Sequence, residues 1–395
     1  MSELLTIDEA VAAIVERARP RGEEQVAVRN AHGRVLARDG VAAVDLPPFD
    51  SSAMDGYAVR FQDGPGRLRV VGHSAAGRPA GRELAAGEAI AISTGAEVPV
   101  GANAVIEVER VVVEGDHVVV EAVDERANVR PRGGDARAGA LVVETGVRLG
   151  PPQIGALAAA GVAEVMCARV PTVAVLSTGS ELRAPGDQLG PGQIYESNSL
   201  LLAAQLATAG IGAQLLDPVP DDETALRRAL ETGLAADVLI TSGGVSVGPH
   251  DLVKQLLDEA GVECVFWGVA VRPGKPLFFG VRGDTLVFGL PGNPVSTLVS
   301  FELFVRTALR ASEGERDPAP RFLPGQLAGS LRRNMQRDDL VRARARSGAG
   351  GTLVEPLSGQ ESHMIARAAS ANALIFVPRG EGELKAGDHV NFLPV

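Results

Sequence analysis

Between residues 172 and 310 the chain alternates two hydrophobic rhythms. The runs TVAVLSTG (172–179), AQLLDPV (213–219), ADVLITSGG (236–244), ECVFWGVAV (263–271) and DTLVFGLPG (284–292) are short, apolar and bounded by turn residues, which predicts buried strands. Between them, SNSLLLAAQLATAG (197–210), DDETALRRALETG (221–233), PHDLVKQLLDEAG (249–261) and NPVSTLVSFELFVRTALRA (293–311) carry helical spacing. Strands alternating with amphipathic helices predict a three-layer α/β domain with a parallel-rich sheet and helices on both faces.

The rest of the chain follows other patterns. LTIDEAVAAIVERARP (5–20) predicts an opening helix, with Thr6 and Glu9 spaced as a capping box and Pro20 as its stop. Residues 21–44 look extended. From 45 to 145 alternation of period two dominates. RLRVVGHSA (67–75) and EAIAISTG (88–95) read as strands, and residues 102–123 as a hairpin turning at Gly115 and Asp116. SEGERDPAP (312–320) is a linker, and the short strands beyond it predict a small β-barrel or sandwich. The expected organisation is thus an elongated linking segment (1–44 with 146–171), an inserted β domain (45–145), the α/β domain (172–317) and a C-terminal β domain (318–395). The apolar stretch at 200–216 is broken by Gln205, Thr208, Gly210, Gly212 and Gln214, so it reads as a helix turning into a strand and not as a membrane span.

Charge and composition narrow the function. The 395 residues carry a formal net charge of −11, a poor match to a nucleic-acid backbone, so any anionic ligand needs a local basic site. The two cysteines, Cys167 and Cys264, lie in apolar surroundings and are expected to be buried free thiols of a cytoplasmic protein. No leader pattern marks the N-terminus.

In an open α/β sheet, ligands sit at the carboxyl ends of strands. Glu181, Asp221 or Asp222, and Asp251 follow such ends here, as do the cations Arg272 and Lys275 of RPGKP and the turn LPGNP with Pro291, Gly292, Asn293 and Pro294. Carboxylates together with substrate phosphates suit Mg²⁺, and turns opening helices suit phosphate. Taken alone, Glu181 reads better as a solvated surface charge and each aspartate as a helix N-cap; convergence on one rim is the argument for a site. GVSVG (244–248) matches the nucleophile-elbow pattern, but paired Gly243 and Gly244 and the following Pro249 predict a wider ligand loop. Three loops of the inserted domain, PPFDSSAMDGYAVR (47–60), ISTGAEVPVGANAV (92–105) and NVRPRGGDARAG (128–139), are richer in functional groups than turns require.

SSAMDGYAVR, STGAEVPVGANAVI, NVRPRGGD, STGSEL, GQIYESN, TSGGVSVGPHD, RPGKP and GLPGNPVS occur in this order along nearly the whole chain. Together they resemble the molybdopterin molybdenumtransferase family (MoeA and the gephyrin E-domain). The resemblance implies a homodimer with a C-terminal β-barrel and an active site shared between subunits. The implied reaction is Mg²⁺-dependent: adenylylated molybdopterin and molybdate give molybdenum cofactor and AMP. The resemblance makes Asp55, Asp135, Asp221 and Asp251 catalytic and assigns Glu181, Asp221 and Asp251 to the metal. Thr94, Glu181, Ser242, Gly243, Gly244, Arg272, Pro291, Gly292, Asn293 and Pro294 are expected at the substrate, and Lys275, Pro276, Ser296, Arg342 and Ser362 at molybdate. Pro249, Gly268 and Arg272 depart from the family pattern, which often has an acid at the first and lysine at the other two. The same resemblance allows a molybdopterin adenylyltransferase to dock as partner, and leaves a non-catalytic scaffold and a tungstate-inserting paralogue as alternatives.

Overall fold

The computed structural model describes residues 4–244 and 252–395. The chain forms two compact units, Gln25–Cys167 on one side and Met1–Glu24 with Ala168–Val395 on the other.

The larger unit holds a six-stranded sheet built from β1 (Val173–Ser177), β2 (Ala213–Leu215), β3 (Val238–Ser242), β4 (Glu263–Trp267), β5 (Phe278–Arg282) and β6 (Thr285–Leu290), in the order β2-β1-β3-β6-β5-β4. The near-continuous apolar runs follow from burial on both faces. Val173 and Val175 of β1 enter one core, while Ala174 and Leu176 between them enter the other. Helices α1 (Ile7–Arg17) and α2 (Asn198–Thr208) cover the first face through Ile7, Ala10, Ile14, Leu202 and Leu206. Helices α3 (Glu223–Gly233) and α4 (Leu252–Glu259) cover the second through Leu226, Leu230, Val253, Leu256 and Leu257. The expected three-layer domain is present. The opening helix, expected in the linking segment, packs into this domain, held at its start by the capping box of Thr6 and Glu9.

The sheet is mixed. β5, FFGVR, runs antiparallel to β6 and β4 and lies outside the strands expected from the sequence. A tight turn at Gly283, at φ +58°, returns the chain from Arg282 to its partner Thr285. The closing helix is continuous but contains a π-helical turn, Phe301–Val305, after α5 (Pro294–Ser300). Cys167 is buried, whereas Cys264 is exposed, contrary to expectation, because it sits on the edge strand β4.

β1, β3 and β6 are parallel and in register, with Ser177 opposite Ser242 and Ser242 opposite Leu290. Their following turns, Thr178-Gly179, Gly243-Gly244 and Pro291-Gly292, therefore emerge side by side at one edge of the sheet.

The C-terminal strands β7 (Leu323–Leu327), β8 (Asp338–Gly348), β9 (Gly351–Pro356), β10 (Ala373–Val377) and β11 (His389–Pro394) close a five-stranded barrel in the order β8-β9-β7-β11-β10, with β10 returning to β8. Leu327, Val354, Ile375 and Phe392 fill it. Val271 and Arg272 pair with Asp338 and Asp339 at the start of β8, which brings RPGKP against the barrel.

The second unit contains a six-stranded sheet with strands in the order 104–107, 56–59, 88–92, 66–74, 117–120, 111–114. The expected hairpin turns at Gly115 and Asp116, with Glu114 opposite His117. Its first arm is interrupted by a 3₁₀ turn at Val108–Arg110. Val28, Leu36, Leu149, Leu157 and Cys167 form a separate small core for the linking segment.

Candidate active site

The three turns at the carboxyl edge of the sheet line a cavity of about 670 Å³. Glu181, Asp221, Ser242, Gly243, Gly244, Pro291, Gly292, Asn293 and Pro294 all reach it, so the rim gathers most of the expected substrate residues. Only glycine fits the middle turn. Gly243 has φ +92°, and a Cβ on it would lie 2.5 Å from the Thr178 carbonyl oxygen; on Gly244, at φ +65°, a Cβ would lie 2.3 Å from Val253. Asp222 caps α3 by accepting from the Ala225 N–H at 2.8 Å, which leaves Asp221 to face the cavity. Asp221 exchanges bonds with Ser180: its Oδ2 accepts from the hydroxyl at 3.3 Å, and its own N–H donates to that hydroxyl at 3.1 Å. Asp251 lies outside the described residues, as does the rest of the loop from 245 onward.

Asn198 ties the turns together. Its Nδ2 donates to Ser242 Oγ at 2.8 Å and to the Gly292 carbonyl at 2.7 Å, while its Oδ1 is buried and has no hydrogen-bond partner among the described residues. Glu196, also buried, accepts from Ser177 and Ser199 and fixes the start of α2. Tyr195 adds an aromatic wall, its hydroxyl donating to the Asp187 carbonyl at 2.9 Å. These positions sit in the quoted motif GQIYESN but carry no local signal that marks them as lining residues.

Pro276, Pro291, Asn293 and His363 also line a second cavity of about 610 Å³, so the two adjoin. Lys275, Ser296 and Ser362 meet there, as expected, because α5 begins beside the barrel: the Val295 N–H donates to the Ser362 carbonyl and Asn293 Nδ2 to its hydroxyl. Arg272 is present but ion-paired with Asp339 across the strand pair. Burial pushes the Asp339 carboxyl above its ordinary value, against the pull of Arg272.

Arg342 is not in this cavity. It is 2% exposed, and its guanidinium donates to the carbonyls of Met364, Gly359 and Glu361 and to Gln360 Oε1. The expected molybdate arginine is a buried clamp on the segment 359–364, and it borders a different cavity with Gln205 and Leu298. Conversely, Arg337 and His363 line the second cavity although nothing in the sequence singled them out for it.

In the other unit, Asp55 Oδ1 accepts from the Thr94 N–H at 2.7 Å, so these two loop residues meet. Asp135 is exposed on a neighbouring loop, anchored by its own N–H to the Leu46 carbonyl.

Three family models cover the chain in sequence. They are the MoeA N-terminal region (domain I and II) over residues 5–161, a probable molybdopterin binding domain over 174–311, and the MoeA C-terminal region (domain IV) over 324–395. The molybdopterin molybdenumtransferase of Haemophilus influenzae is 35% identical, over 99% of this chain and 98% of its own. The chain belongs to the MoeA family. Molybdopterin molybdenumtransferase 2 of Mycobacterium tuberculosis is 37% identical over 97% of both chains. The crystal structure of the molybdopterin biosynthesis MoeA protein of Pyrococcus horikoshii OT3 superposes with a TM-score of 0.85 at 29% identity, covering both chains fully. Both cavities are lined by residues of the α/β domain together with residues of the C-terminal region, His363 among them.

Proposed function

We propose that this chain is a molybdopterin molybdenumtransferase, converting adenylylated molybdopterin and molybdate to molybdenum cofactor and AMP. The observation that carries this reading is the pair of adjoining cavities, one rimmed by carboxylates and glycine turns, the other by a lysine and two serine hydroxyls. The first suits the nucleotide and pterin. Gly243 and Gly244 let the backbone approach a phosphate, and Tyr195 offers a flat apolar face to a ring. The second suits a tetrahedral dianion, with Lys275 supplying charge and Ser296 and Ser362 directional donors. With the two cavities sharing four lining residues, reactants bound in them would lie against one another, which replaces a bimolecular encounter with a positioned one.

Mg²⁺ fits the first cavity. Among the described residues no group of three metal-ligating side chains occurs, but Glu181 and Asp221 face one space, the arrangement Mg²⁺ takes when substrate phosphates complete its shell. Bound there, the ion would neutralise phosphate charge during cleavage of the anhydride. Asp251 is the further acid proposed for this side.

Catalysis in this reading also uses Asp55, Thr94 and Asp135, contributed by the partner subunit of a homodimer in the cytoplasm, with a molybdopterin adenylyltransferase as the supplier of substrate. Incubation with adenylylated molybdopterin, Mg²⁺ and molybdate should release AMP and metallated pterin in equal amounts. AMP release without metallated pterin would instead mark a hydrolase. Lys275→Ala removes one charged partner of a desolvated anion, a loss of roughly 2–3 kcal/mol. The molybdate concentration for half-maximal turnover should rise on the order of a hundredfold, and excess molybdate should restore the rate.

A further inference from the structure

Arg342 borders a third cavity, of about 580 Å³, which shares no described lining residue with the two above. Its walls come from α2, the closing helix and strands β7, β10 and β11. We propose that this cavity binds a small amphipathic anion, a molecule with an apolar body and one acidic head. The inference stands apart from the molybdenumtransferase reading.

The floor sets the body. Leu298, Leu323, Leu374 and Leu393 face the space among alanines and prolines, so most of the wall is apolar. Small-molecule sites occupy roughly 300–1,000 Å³ and pair such a lining with a few convergent polar groups. The rim sets the head. Arg306, Arg310 and Arg321 line the cavity, and Glu302 is the one acidic side chain among the described lining residues. Arg306 donates to Glu302 at 2.6 and 2.8 Å, Arg321 donates to Glu315 at 2.6 Å, and Arg310 stands 3.9 Å from Glu315. The two glutamate side chains are only 7% and 4% exposed, against 17%, 24% and 56% for the arginines in that order, so the wall presents guanidinium and hides carboxylate. Arg306 bonds through Nε and Nη2, and Arg321 through Nη2, so Nη1 of each takes no part in these bonds and can serve a further acceptor. A carboxylate or sulfonate there would gain charge-assisted bonds while its body covered the leucines.

The closing helix supplies an independent reason. Leu298, Glu302, Arg306 and Arg310 follow at intervals of four along it, and all four line the cavity. In a regular α-helix each such step drifts by about 40°, which would spread the row over about a third of the circumference. The π-helical turn Phe301–Val305 lies in the middle of the row, and its wider winding takes back part of that drift. Gln205 holds this turn from α2, its Nε2 donating to the Leu298 carbonyl at 3.2 Å and to Glu302 Oε1 at 2.8 Å. Such turns are concentrated at functional sites, and no residue of this one lines either of the other cavities.

The test is fluorescence titration of the purified full chain with anilinonaphthalene sulfonate, beside phenylnaphthylamine, the same aromatic body without the acid. Wild type should bind the sulfonate several-fold more tightly than the neutral probe. Arg321→Gln should weaken the sulfonate by about three- to tenfold and leave the neutral probe unchanged. Ala204→Trp, which sets an indole into the cavity from an exposed position on α2, should weaken both probes by about tenfold or more. Thermal melts check that both variants are folded; should Ala204→Trp fail to fold, Arg321→Gln decides. Sulfonate binding that Ala204→Trp leaves unchanged, or no binding by wild type, overturns the site. A neutral probe bound as tightly as the sulfonate, or weakened equally by Arg321→Gln, overturns the acidic head and the proposal with it.

Discussion

At the scale of single residues, Arg342 shows how position in a motif and role in a structure separate. Arg342→Met should destabilise the fold by on the order of 3 kcal/mol, read as a drop in urea midpoint, because several carbonyls of residues 359–364 would lose their donor while remaining buried. Burial already lowers the pKa of this guanidinium. Lys275, Ser296 and Ser362 were reached through the family resemblance, and the structure brings all three to one cavity. Arg342, reached in the same way, lies outside it, since a strand's parity is invisible until its first residue is known. Gly268 explains a departure from the family pattern: it has φ +98°, and a Cβ there would lie 2.7 Å from Leu4, so a lysine would be strained. The glycine turns give a paired prediction. Gly244→Ala should cost about 2 kcal/mol or more and depress AMP release, whereas Gly292→Ala, whose nearest neighbour would be the Gly243 Cα at 3.8 Å, should leave the unfolding midpoint nearly unchanged. Equal midpoints for the two variants would show that the Gly244 turn relaxes freely.

At the scale of elements, the entry to β3 is held by one carboxylate. Asp237 accepts from Arg21 at 3.0 Å, twice from Arg169 at 3.0 Å, and from both the N–H and hydroxyl of Thr172. Burial alone would raise its pKa, but the Arg169 and Thr172 bonds prevail and lower it to about 2 from the ordinary 3.8. A depressed carboxylate stabilises the fold above its unfolded pKa and loses that contribution as pH falls through the folded one. The shift corresponds to about 2 kcal/mol, present at neutral pH and disappearing between about pH 4 and pH 2. Asp237→Asn should therefore lower stability by about this amount at pH 7, and the gap to wild type should shrink steadily on acidification; a gap independent of pH would mean that the bonds matter and the charge does not. The elements themselves were largely legible. Helix caps at Thr6 and Asp222 and the strand runs follow from local chemistry. β5 escaped because a largely buried antiparallel strand next to a turn has the same apolar signature as its neighbours and only its partner reveals its direction.

At the scale of the whole molecule, a chain with net charge −11 concentrates the cations Arg272, Lys275 and Arg337 in one cavity, a local reversal of sign suited to drawing in an anion that the rest of the surface repels. The described part of the chain has no helix long and apolar enough to cross a membrane. Each compact unit carries part of the expected machinery: Asp55, Thr94 and Asp135 in one, Glu181, Asp221 and the two cavities in the other. If the first set serves the partner subunit's cavities, chains bearing Asp55→Ala and chains bearing Asp221→Ala should complement one another. In a mixed dimer with shared sites, one site would hold both lesions and the other neither. Random mixing of equal amounts places half of the dimers in that class, so AMP release should recover to about a quarter of the wild-type rate per subunit, since half the dimers each carry one intact site of two. Subunit exchange is checked independently by mass or by affinity tag. Exchange with no recovery would place Asp55 and Asp221 in the site of a single chain, because every site would then contain one lesion.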